Sequence, residues 1–109
     1  MRNCVSDLRS QAAELDVMLA QSSQGRITSR FLLAHARQLG DDIVASHGEL
    51  VGMTVEPPFL QLRDAAVPLA GQLVAAVAPV QERDPPPASR DQARRSFQGL
   101  LAIEASAGR

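Results

Sequence analysis

The sequence predicts an all-α fold, a small bundle of about four helical segments. Apolar residues recur at alternating intervals of three and four in several stretches, which is the spacing of one face of an α-helix. Only three of the 109 residues are aromatic. The core must therefore consist of Leu, Val, Ile and Ala, which suits helix packing better than a sheet. We find neither an alternating strand pattern nor a hairpin turn signal.

The first two segments are predicted at about 4–21 and 27–50. The first carries one apolar stripe, made of Val5, Leu8, Ala12, Leu15 and Leu19. The second carries another, made of Leu32, Leu33, Ala36, Leu39, Ile43 and Leu50. Between them, the stretch QSSQGR at 21–26 contains two serines and a glycine, which are poor helix formers.

The connection between these two segments has two interpretations. The composition of 21–26 favours a helical hairpin. However, the first apolar stripe continued at the same heptad phase reaches Leu33, Ala36, Ile43 and Leu50. That register favours one long helix over about residues 4–50, and the sequence leaves both arrangements open.

The last two segments are predicted at about 58–80 and 89–105. Proline in the sequence VEPP at 55–58 is suited to the first turn of a helix. Pro68 lies inside this segment and should kink it, because it removes one backbone hydrogen bond. Ser89 and Gln92 have the spacing of a capping box, which predicts the start of the last helix. We expect a single domain over 1–109, with a Pro-rich linker at 81–88.

Composition argues against several classes of function. The net charge of −1 and the scarcity of aromatics argue against nucleic-acid binding. The uncharged run at 65–81 is short and interrupted by proline and glycine, so we interpret it as a buried helix and expect no membrane association. The first ten residues contain no apolar signal core, which predicts a cytoplasmic protein. All eleven basic residues are Arg, which fits either codon bias or bidentate anion recognition.

The histidines and the single cysteine offer little chemistry. His35 and His47 have no acidic or histidine partner three or four residues away, so we expect no metal site and no cofactor. His47 falls on the apolar stripe, and we expect it to be packed. Histidine phosphotransfer domains are also four-helix bundles with an exposed histidine midway along a helix, which makes His35 a candidate phosphoacceptor. Cys4 has no activating group nearby.

One stretch resembles a known enzyme family. The sequence LRSQAAELDVMLAQSSQGR at 8–26 is similar to the opening helix of the all-helical chorismate mutases. In that family a Leu-Arg pair is followed at fixed intervals by an acidic residue, an arginine and a further basic residue. The corresponding residues here are Arg9, Asp16, Arg26 and Arg37, the last of which stands where the family has lysine.

The resemblance implies a site for a small dicarboxylate. On a continuous helix Arg26 and Arg37 would lie about 16 Å apart on one face, where each could bind one end of the ligand. Arg9 would be contributed by the partner chain of an interlaced dimer. Neither Gln98 nor Glu104 aligns with the residue that the family's last helix supplies.

We expect instead a non-catalytic protein that binds another protein or itself. No catalytic cluster is visible, and the heptad-like stripes are typical of helix association. Small residues in the stretch AGQLVAAVA at 70–78 would permit close helix approach in a homodimer. The chorismate-mutase-like isomerase and the phosphotransfer domain remain the two alternatives.

Overall fold

The computed structural model describes residues 2–25, 28–79 and 87–107, which form four α-helices and no strand. The helices are α1 (Arg2–Ser23), α2 (Ser29–Gly52), α3 (Leu60–Val77) and α4 (Pro87–Ala107). A single 3₁₀ turn, Pro57–Phe59, precedes α3. The predicted all-α bundle of four helical segments is confirmed.

The chain turns between α1 and α2. Helix α1 ends at Ser23, and Gly25 follows with a φ of +73°, a left-handed conformation that favours glycine. Thr28 then caps α2, since its hydroxyl oxygen accepts a 3.1 Å hydrogen bond from the backbone N–H of Phe31. Of the two arrangements that the sequence left open, the structure has the helical hairpin and not one helix over 4–50.

The boundaries of the last two helices differ slightly from the predicted ones. Helix α3 runs through Pro68 without ending there. Helix α4 begins at Pro87, so the predicted capping box at Ser89 is wrong. The reason is that proline needs no partner for a backbone N–H and is well placed at the first helical position. Of the predicted linker at 81–88, residues 81–86 lie outside the described residues and the last two already belong to α4.

The four helices form an antiparallel bundle in which α1 packs on α2 and α4, and α3 packs on the same two helices. The α1 and α3 helices, which face each other across the diagonal, have far fewer contacts. The Cys4 thiol near the start of α1 donates a hydrogen bond to the backbone carbonyl of Ser46 near the end of α2. These two helices therefore run in opposite directions. The bundle measures 46 × 22 × 19 Å, so it is a short rod.

The buried core follows the predicted apolar stripes. Every residue of the predicted α1 stripe is buried, and so are five of the six residues predicted for α2. On α4, Leu101 is exposed and Ile103 is buried. Buried positions on α4 are 93, 96, 100 and 103, a regular 3-4-3 spacing that places Ser96 in the core.

Candidate functional site

The Arg9 side chain lies between α1 and α4. Its Nε donates to Glu104 Oε2, and both side chains are about one third exposed. Arg9 therefore has a carboxylate partner within its own chain. Glu104, which does not align with the chorismate mutase pattern, ties the end of α4 to the start of α1.

Asp16 lies about two turns after Arg9 on α1 and also joins α1 to α4. Its Oδ1 accepts hydrogen bonds from Arg90 Nε at 3.1 Å and from Arg94 Nε at 3.2 Å. The two arginines stand four residues apart on α4 and so share one helix face. Together with the Arg9–Glu104 pair, this cluster connects α1 to α4 by charge as well as by packing.

Of the other two candidate arginines, the structure describes only Arg37. Arg26 lies outside the described residues. Arg37 is exposed on α2. Because α1 ends at Ser23 and α2 starts afresh after Thr28, no continuous helix places Arg26 and Arg37 on one face. The resemblance to chorismate mutase remains a prediction.

The candidate phosphoacceptor His35 is engaged by α1. Its Nε2 lies 2.6 Å from Glu14 Oε1, and its ring meets the Phe31 ring edge-on, with the ring centroids 5.7 Å apart. The sequence could not anticipate this partner, which is 21 residues away on another helix. The contact between Glu14 and His35 therefore joins α1 to α2.

A small cluster of polar residues, most of them buried, connects the start of α1 to α2. The Cys4 thiol donates to the backbone carbonyl of Ser46 at 3.1 Å, and Gln11 Nε2 donates to the Ser46 hydroxyl at 3.1 Å. Burial raises the pKa of the Cys4 thiol, and the nearby carboxylates of Glu49 and Asp7 raise it further. This thiol is therefore a poor nucleophile at neutral pH.

Metal binding has no support from the described side chains. Within residues 2–25, 28–79 and 87–107, no three His, Cys, Asp or Glu side chains are grouped in a way that could hold a metal ion.

The outer side of the bundle between α2 and α3 is apolar. His47 of α2 lies over Gly71 of α3, with its Nε2 4.0 Å from the position that a Cβ on Gly71 would occupy. Residues three and four positions from His47 or from Gly71 lie on the same face of their helix, so they lie close to this contact. We call the face they form the α2–α3 surface. It consists of Val44, His47 and Val51 on α2 and of Val67, Gly71 and Val74 on α3.

Several side chains of the α2–α3 surface are in contact with solvent. Val44 and Val51 are 54% and 53% exposed. Val67 and Val74 are half-buried and pack against the core from its edge. Leu60, at the start of α3, is a further exposed apolar side chain at one end of this surface.

The outer side of α3 is uncharged as well. Residues 65–78 carry no charge. The residues of this stretch that point away from the core are small, apolar or amide side chains: Ala65, Pro68, Gln72, Ala75 and Ala78 are all exposed. A helix that is apolar all round is normally covered on every side. Among the described residues, α3 has neighbours on its inner side only.

Charges flank the α2–α3 surface at its two ends. Arg30 and Arg37 are exposed on α2 in heptad spacing with Val44 and Val51, which keeps all four in one stripe. We call this the basic end. At the acidic end, Glu56 is exposed and the Asp64 side chain is 68% exposed.

Arg63 lies beside Asp64 at the acidic end. It donates to Asp64 Oδ1 at 3.2 Å and, through Nη1, to the Met53 carbonyl at 2.8 Å. Arg63 thereby links the end of α2 to the start of α3, and its charge partly offsets that of Asp64.

Nothing in the protein-family models, the curated proteins or the solved structures matches this chain. In the part of the chain that the structure describes, no helix combines the length and the apolar character needed to cross a membrane.

The α2–α3 surface was only partly visible in the sequence. The uncharged run and the small residues of the third helix were apparent. The pairing of α3 with α2 was not, since it depends on which helices become neighbours. Val44 and Val51 are not part of the apolar stripe predicted for the second helix.

Proposed function

We propose that this protein is a non-catalytic interaction module, and that its working surface is the α2–α3 surface. The observation that carries the proposal is the solvent-facing side of α3, which has no charge over residues 65–78. Apolar surface in contact with water costs roughly 25 cal/mol per Å² relative to burial, so covering this side with another protein is favourable.

The other side of the bundle supports the assignment by contrast. Between α1 and α4, the side chains of Arg9, Asp16 and Glu104 are engaged in ion pairs within the chain. This side carries several charged side chains, in contrast to the outer side of α3. It also exposes two large apolar side chains, Val17 on α1 at 54% and Leu101 on α4 at 45%, and single exposed apolar residues are normal for a protein surface.

Site-specific photocrosslinking in the expressing cell tests the proposal. A photoreactive amino acid replaces Ala75 on the outer side of α3 in one variant and Val17 on α1 in a control variant. We expect protein adducts from position 75 and none above background from position 17. Adducts at neither position, or equally at both, would contradict an interaction surface on this side of the bundle. Mass spectrometry of the adduct identifies the protein bound.

A further inference from the structure

We draw no further inference here: the strongest candidate, the apolar α2–α3 surface around the contact between His47 and Gly71, belongs to the site already described, and nothing in the structure shows what covers it.

Discussion

Arg9 and Glu104 form an ion pair that joins the start of α1 to the end of α4, across 95 positions of the sequence. The pair closes the bundle, because α1 and α4 are the first and last helices. It also gives Arg9 an intrachain partner, whereas the resemblance to chorismate mutase would have Arg9 bind a ligand.

Removal of one member of this pair should destabilise the bundle modestly. We expect Arg9→Ala to lower the free energy of unfolding by about 1 kcal/mol, because a partly exposed ion pair contributes little more than this. The exchange Arg9→Glu/Glu104→Arg should recover part of the loss. Urea unfolding measures both, with Arg95→Ala on the exposed side of α4 as the control. Equal effects of Arg9→Ala and Arg95→Ala would show that the pair contributes nothing.

The turn between α1 and α2 predicts whether one substitution raises or lowers the free energy of unfolding. Gly25 has a positive φ, a conformation that costs a residue with a side chain about 1 kcal/mol or more. Gly25→Ala should therefore destabilise the protein by about that amount. In a continuous helix the same change would stabilise by about 1 kcal/mol, since alanine is the better helix former. Thermal unfolding distinguishes the two signs, and a stabilised variant would contradict the hairpin.

Close packing at Gly99 predicts a contrast with Gly48. A Cβ on Gly99 would lie 2.7 Å from Leu69 Cδ1, so Leu69 would have to move. We expect Gly99→Ala to gain less stability than Gly48→Ala, because the required shift of the Leu69 side chain offsets part of the gain in helix propensity. Gly48→Ala, with open space around its Cβ, should stabilise the monomer by about 0.5–1 kcal/mol. Unfolding in dilute solution checks both, and equal effects would mean that α3 and α4 do not meet closely at this position.

The Cys4 thiol predicts a loss of stability at alkaline pH. Its pKa is raised by burial in the folded state, so the unfolded chain loses this proton first. Stability is then complete below the unfolded pKa of about 8.5 and decreases as the pH rises towards the folded pKa. The chain contains no Tyr and no Lys, so few other groups titrate in this range.

Cys4→Ala isolates this contribution. Its free energy of unfolding should be lower than that of the wild type at pH 7 because of the lost packing, and it should depend less on pH between about 8 and 11. Urea unfolding at several pH values measures the difference. Parallel pH profiles for the two proteins would exclude a role for Cys4.

The sequence by itself determined the helices and most of the core. The apolar stripe of α1 is a local pattern with a fixed period, so Leu8 and Leu15 could be assigned to the interior without knowledge of their neighbours. The same holds for Ile43 on α2, which is fully buried. The start of α4 was misplaced by two residues because proline and a capping serine both mark helix starts, and the sequence does not rank them.

Tertiary structure decided which helices are neighbours, and with that the partner of every long-range side chain. Glu14 meets His35, and Asp16 meets Arg90, only because the chain turns at Gly25 and α4 returns alongside α1. The candidate surface has the same origin. An uncharged α3 could have been the buried centre of a bundle, but packing left one of its sides in solvent beside Val44 and Val51. Spacing along a helix is fixed by local geometry, whereas the sides on which two helices meet depend on the packing of the whole chain.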